Sequence, residues 1–519
     1  MTSLHHARSD VDELAFLDPT PDEAAPRGRS RRAAVLGTAF AVCLTAVGVL
    51  SVQGVHSADA PVPDLVTASP SAAALQATSP TSGAQAPSAA AVPPAGSTAA
   101  APAPSTTEPA TAPAPAPLAS PGASAPAAGA GPAAAPAAAE PAVQPAGTAA
   151  LPAAPAPIAP QAVSAARGVL PVERFGATGD GRTDDTAALQ KALDSVPVGS
   201  VLQLKAGATY LHSDVLRLSR SNVTLSGPGA TLLATDEARS SFHVTGSRVT
   251  VTGVTFGLTA STRRWDAPAQ DKVRVWGDDV VLRDVHVQGA AAAGIFVDGS
   301  ARFLLDRVTV SDSRADGIHM SNGATDGRVV SPVTNRTGDD GVAVVSYKSD
   351  GVVSARIQIT SPTVNGTTWG RGISVVGGND ITYTDVTIRD TDAAAVYLGS
   401  EAEYDTYPSQ RVLVRGGTVT GANRNTAKDH GALMVYSGNT GPQTSDITLQ
   451  DLAVRNTRSS ATWNIGVLAN PGAGLSRVSL TRVSLAGGPA MPIYTSTPSA
   501  VRVTGLVDDG APSAFRSGW

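Results

Sequence analysis

Asp316, Asp339 and Asp340 stand directly before two short apolar runs, Gly317-Ile-His-Met320 and Gly341-Val-Ala-Val-Val345. The acids lie about two dozen residues apart along the chain, the length of one coil of a parallel β-solenoid. On adjacent rungs, roughly 4.8 Å apart, three carboxylates share one small space. They cannot all ionise at their ordinary pKa, so at least one is raised and can donate a proton. Another stays ionised and can activate water. Hydrolysis of a glycosidic bond needs this division of labour. Asp312 and Asp326 stand alone and read as turn residues, because turn chemistry does not require acids on neighbouring rungs.

The elements that position these acids are repeats. One phrase begins at Asn222, Arg248, Asp279 and Arg302, and returns at Gly327, Ala355, Asp380, Arg411, Asp446 and Arg477. Its period is about 23 to 35 residues. Apolar and polar residues alternate within it, as strands require. A second phrase interleaves at Gly294, Gly317, Gly341, Gly372, Ala395 and Gly431. No unit can bury its apolar face alone, and stacking on neighbours cures this. The expectation is an all-β fold, a right-handed single-stranded parallel β-helix of about 10–11 coils. The strands of a transmembrane β-barrel would be longer, antiparallel and without a fixed phrase.

Stacking allows the second phrase to be read vertically. Ile295, Ile318, Val342, Ile373 and Val396 point inward. Phe296, His319, Ala343, Ser374, Tyr397 and Leu433 point outward. The position before the glycine carries Ala293, Asp316, Asp340, Arg371, Ala394 and His430 in turn. Candidate substrate contacts beside the catalytic trio are therefore His319, Arg371, Tyr397 and His430, with Lys348 reaching in from the loop after its strand. Trp369 precedes the Arg371 rung and offers a ring to a sugar. Trp265, in a charged loop, is a weaker candidate.

The folded domain begins with Phe175-Gly-Ala-Thr-Gly-Asp-Gly181, followed by a helix that Thr183 or Asp184 can cap, with Ala188, Leu189, Ala192 and Leu193 as its apolar stripe. This segment resembles the FGAxGDGxxDDTxAxQxA opening of the pectate-lyase-like β-helix superfamily. There it forms a cap over the end of the helix, so Asp180, Asp184 and Asp185 read as turn and capping residues. The acid rungs resemble the polygalacturonases, family 28 of the glycoside hydrolases. Ala315-Asp316-Gly317 matches that family's Asn-Thr-Asp-Gly strand, and Gly338-Asp339-Asp340-Gly341 its Asp-Asp strand. The resemblance implies that Asp340, or Asp316, is the general acid, and that Asp316 and Asp339 hold the water of an inverting hydrolysis. The family's Gly-His-Gly appears here as Gly370-Arg371-Gly372. Its Arg-Ile-Lys appears as Val396-Tyr397-Leu398-Gly399. Half of the catalytic signature is thus degenerate, and the cations that grip a uronate are missing. A polysaccharide other than plain polygalacturonate follows as the expected substrate, neutral polymers included.

The amino-terminal third is different material. Residues 53–165 are almost entirely Ala, Pro, Ser, Thr and Gly, a composition that reads as a disordered linker. Before it, Arg27 to Arg32 hold four arginines that precede an apolar run at 33–52. Twenty uncharged residues suffice to cross a bilayer, and the arginines put a tail of residues 1–32 in the cytoplasm. A signal anchor tethering an extracellular domain at 166–519 is one reading. A cleaved signal peptide using Ala58-Asp59-Ala60, giving a secreted protein, is the other. Cys43 is the only cysteine and lies in the apolar run, so the domain expects no disulfide. A net charge of -5 argues against nucleic acid as a partner. A monomer is expected, with a polysaccharide as its partner.

Three functions compete: a glycoside hydrolase without cofactor or metal; a polysaccharide lyase or epimerase in which the acids bind Ca²⁺; and a non-catalytic protein that binds glycan or a cell surface.

Overall fold

The computed structural model describes residues 168–515. The apolar run at 33–52 and the linker at 53–165 lie outside the described residues. Among those described, no helix is long and apolar enough to cross a membrane.

The described domain is a right-handed parallel β-helix with a short helix near its start. Each coil supplies three strands. Val281–Arg283, His286–Ala290 and Ile295–Asp298 pair in parallel with Leu304–Asp306, Thr309–Ser313 and Ile318–Ser321 of the next coil. The first two faces join in a 22-stranded sheet, and the third forms an 11-stranded sheet in chain order. Eleven rungs therefore stack on the face that carries the acids. In early and later coils the first two strands fuse into one long strand, as in Thr224–Ala234, Thr250–Leu258, Gly378–Arg389 and Ser409–Thr420.

The inward column runs through Ile295, Ile318, Val342, Ile373 and Val396 in unbroken register, each fully buried. Complete burial of such an aliphatic side chain stabilises by about 1.5–3 kcal/mol, so repetition supplies the stability that disulfides would otherwise give. The glycines before these strands are required by close approach. A Cβ on Gly317 would come within 2.6 Å of the Gly341 carbonyl oxygen, and one on Gly341 would meet that of Gly372 at the same distance. Each acid is thereby placed at a tight corner.

A second corner explains how the long phrase begins. Asn222, Arg248, Asp279, Arg302, Asp326, Arg356, Asp380, Arg411, Asp446 and Arg477 all adopt φ between 52 and 61°. From Asp279 onward acid and arginine alternate strictly. Arg302 grips Asp279 with two hydrogen bonds of 2.7 and 2.9 Å, and Arg411 grips Asp380 with the same two lengths. Arg356–Asp326 and Arg477–Asp446 repeat the pattern. Such exposed pairs add little stability each, but their alternation distinguishes one coil from the next.

The opening segment is a cap, as its sequence indicates, with one change. Asp185, rather than Thr183 or Asp184, occupies the N-cap of the helix Thr186–Ser195. Thr183 and Asp184 belong to the strand Asp180–Asp184. Asp185 instead accepts from the Thr178 and Gly179 backbone N–H groups at 2.7 and 3.0 Å, pinning the glycine turn, while Asp184 accepts from the Thr186 N–H at 2.9 Å.

Candidate functional site

The position two residues before each inward side chain forms a column: Asp271, Ala293, Asp316, Asp340, Arg371, Ala394 and Gly431. Its aspartates repeat one device. An Oδ1 accepts the backbone N–H of the next rung: Asp271 from Ala293 at 3.1 Å, Asp316 from Asp340 at 2.9 Å, and Asp340 from Arg371 at 2.7 Å. Each carboxylate is fixed by the coil that follows.

The three acids differ in surroundings. The side chains of Asp339, Asp316 and Asp340 are 26%, 13% and 4% exposed, so Asp339 opens most to solvent. The second oxygen of Asp316 accepts from His319 Nδ1 at 2.5 Å. The His319 ring is held between Asp316 and the Phe296 ring, whose centroid lies 4.5 Å away. Phe296 in turn lies under Arg274, which pairs with Asp271 at 2.5 Å and Asp298 at 2.7 Å. Burial works to raise the Asp340 carboxyl, but the Arg371 charge and backbone N–H outweigh it and hold the group below its usual range. Asp339 goes the other way. Burial and the charges of Asp316 and Asp340 push it up to about 6, against the opposing charge of Arg264. Arg264 reaches its Oδ2 at 2.8 Å.

Arg371 occupies the next rung. Its guanidinium lies between Asp340, with Nη1 at 3.4 Å from Oδ2, and Glu401, which accepts from Nη2. It lies 4.2 Å above the Tyr397 ring. Glu401 follows the strand Val396–Ser400 and is buried, which raises its carboxyl against the pull of Arg371. His430 packs 5.6 Å from Tyr397, with Nδ1 buried and without a partner. Burial, reinforced by the charges of Arg371 and Lys428, lowers it to about 3 and keeps it neutral.

The structure thus gathers Asp316, Asp339, Asp340, His319, Arg371 and Tyr397. His430 joins them by a different route from the one the spacing indicates. Tyr397 pairs with Met434, and Val396 with Leu433. Leu433 is therefore a core residue, fully buried, rather than an outward one. Ala432 takes the position of the corner glycines, Gly431 stands in the acid column, and His430 falls one place earlier, level with Asp339. A segment of some thirty residues between the two strands erases the register that shorter coils keep. Trp369 lies beside the site, with its ring 5.9 Å from the Arg264 guanidinium and its indole nitrogen buried without a partner. Lys348 is paired to Asp405 at 2.5 Å, in the loop that begins with Glu401. Trp265 packs against Leu258 and Ala291, and its backbone N–H donates to the Ala291 carbonyl at 2.8 Å. It anchors the segment that carries Arg264.

Arg264 and Glu401 are the residues that sequence reasoning missed. Arg264 sits in a loop with no periodicity, 75 residues before its partner. Glu401 had a weak signal, as an acid placed directly after a site strand.

Residues 169–402 of the β-helix match the family model described as rhamnogalacturonase A/epimerase, pectate lyase-like. Over 150 residues the chain is 31% identical to the capsule KN3-specific depolymerase 1 of Klebsiella phage KN3-1, which covers 28% of this chain and 18% of that one. Over 76 residues it is 40% identical to the exo-poly-alpha-D-galacturonosidase of Dickeya chrysanthemi, covering 14% and 11%. The chain therefore spans less than a fifth of the length of these curated relatives. A hyperthermoactive exopolygalacturonase from Thermotoga maritima shares the fold with a TM-score of 0.53 and 13% identity, over 66% of this chain and 92% of that one.

Proposed function

We propose that the β-helix domain is a glycoside hydrolase that cleaves a polysaccharide by carboxylate acid–base catalysis. The observation that carries this reading is geometric: one oxygen from each of Asp316, Asp339 and Asp340 lies within 4.8 Å of the others, and the three carboxyls differ in exposure and partners. Asp339, the most open, is held near 6, while its neighbour Asp340 is kept ionised by Arg371. Environments that push adjacent carboxyls apart assign acid and base roles. Protonated Asp339 donates to the leaving glycosidic oxygen as its bond to the anomeric carbon breaks. A water forms the new bond to that carbon and gives its proton to Asp340. Asp316, tied to His319 and to the Asp340 N–H, positions the pair. The electrostatics thus favour Asp339 as the acid over Asp340 or Asp316, the residues that the family resemblance puts forward. The names of the two curated relatives, a capsule depolymerase and a galacturonosidase, support a polysaccharide substrate. An extracellular polymer agrees with the export signal read in residues 27–52, whether the domain is tethered or released.

One observation favours a second reading. One oxygen from each of Asp316, Asp339 and Asp340 lies within 4.8 Å of the others, the spread of a divalent-cation site. The donor set does not fit resident Ca²⁺, which takes six to eight oxygens. Both oxygens of Asp316 already accept hydrogen bonds, and the guanidiniums of Arg264 and Arg371 lie against the other two acids.

The test is reducing-end release from a panel of polysaccharides by wild type beside Asp339→Asn, with and without EDTA. Chelator-insensitive release that the variant lacks is expected. Unsaturated, ultraviolet-absorbing products abolished by EDTA would establish the lyase reading instead. Binding by both proteins with no turnover on any polymer would leave a non-catalytic glycan binder.

A further inference from the structure

We propose that Glu401 is a specificity-determining residue that commits this site to uncharged sugars, by cancelling the charge of Arg371, the cation beside the acid trio. The inference rests on the hydrolase reading and names its substrate class. Arg371 is the cation nearest the trio on the substrate-facing sheet, and only 19% of its side chain is exposed. One edge of its guanidinium meets Asp340, the other meets Glu401, and its flat face rests on Tyr397. None of its charge is left to meet an incoming carboxylate.

Glu401 is built to stay there. Its side chain is 7% exposed. Its backbone N–H donates to Thr406 Oγ1 at 2.8 Å, and its carbonyl accepts from Asn439 Nδ2 at 3.0 Å. Asn439 also binds the Thr406 carbonyl at 2.7 Å, so the next coil holds the whole 401–406 turn. Three other cations nearby are paired with acids too: Arg264 with Asp339 at 2.8 Å, Lys348 with Asp405 at 2.5 Å, and Lys428 with Asp392 at 3.1 Å. The His430 ring is surrounded by Arg371, Lys428, Asp340 and Asp429 and sits against Tyr397, so it adds no cation. With Asp339 protonated, the carboxylates of Asp316, Asp340 and Glu401 still outnumber the guanidiniums of Arg264 and Arg371. A uronate would add a charge of the sign already in surplus, whereas a neutral hexose would not. Removing the Glu401 charge leaves Arg371 with half of its pairing and turns it toward anions.

The test compares the full chain with Glu401→Gln and Glu401→Asp on neutral polymers (glucans, galactans, mannans) and on polygalacturonate and alginate. Wild type is expected to cleave at least one neutral polymer and to reject both uronates. Glu401→Gln should narrow the neutral-to-uronate ratio of kcat/KM by about tenfold or more, through a lower KM for uronate, and Glu401→Asp should restore the ratio. Circular dichroism and Tm report folding. Should Glu401→Gln fail to fold, affinity electrophoresis of wild type in gels containing each polymer decides without any variant. A folded Glu401→Gln with an unmoved ratio, or wild-type cleavage of polygalacturonate at the neutral rate, overturns the inference and leaves the hydrolase reading intact. Wild type that cleaves nothing overturns the hydrolase reading. The gels then still decide: retardation by a neutral polymer alone supports a site for uncharged sugars, and retardation by polygalacturonate, or by none, rejects it.

Discussion

Asp316 Oδ1 accepts the backbone N–H of Asp340 at 2.9 Å, so the acid of one rung is fastened to the backbone of the acid on the next. The spacing between these two carboxyls is therefore a property of the coil stack, not of side-chain rotamers. Preorganised groups of this kind need no rearrangement when charge develops in the transition state.

Asp339→Asn should lower kcat by about 10²–10⁴-fold. Asp339 is raised to about 6, so its proton is present below that pH and lost above it. Wild-type activity should fall as pH rises through 6, and a pH–rate profile of both proteins checks this.

Arg264→Met removes the cation that opposes the rise of Asp339. The Asp339 carboxyl should climb further, and the alkaline limb of the profile should move up by about one pH unit. An unmoved limb would dissociate Asp339 from the proton donation.

His319→Ala leaves Asp316 Oδ2 without its donor in a site that is mostly closed to water. The loss should be about 1–3 kcal/mol, read by urea denaturation, and accompanied by reduced activity. His319→Gln should recover part of both.

Lys272 is fully buried, and its amine donates to the Ser240 carbonyl at 2.7 Å. Burial lowers it from 10.5 to about 7. The unfolded chain therefore binds more protons between these values, and the penalty of the buried charge is complete below pH 7 and fades as pH approaches 10. Lys272→Met should gain stability relative to wild type at pH 6 and lose that advantage by pH 10, as thermal melts across pH would show.

Asp380→Arg places a third arginine between Arg356 and Arg411 in the alternating corner. It should cost about 1 kcal/mol or more, from a lost bidentate pair and new repulsion, and adding Arg411→Asp should return part of it. Denaturant midpoints of the three proteins give the comparison.

The sequence was most legible where the chain repeats. The phrases beginning at Asp279 and Gly317 identify strands, and their alternation separates inward Ile318 and Val342 from outward His319 and Ala343. The clustering of Asp316, Asp339 and Asp340 follows from the repeat because each lies within one short coil of the next. Legibility ended where coil length changed. Between Tyr397 and Met434 the long segment moved the register by one residue, and in a strand one residue exchanges the two faces. Leu433 went to the core for that reason.

What the sequence alone determined is therefore the coil, its faces and the acid trio, because local alternation and a constant period fix them. Only the tertiary structure decided what surrounds the trio. Arg264 and Glu401 arrive from loops whose paths no periodicity records, and the proton held near Asp339 depends on charges that chain separation hides. Electrostatic energy follows distance and burial in space, and those exist only once the coils are stacked.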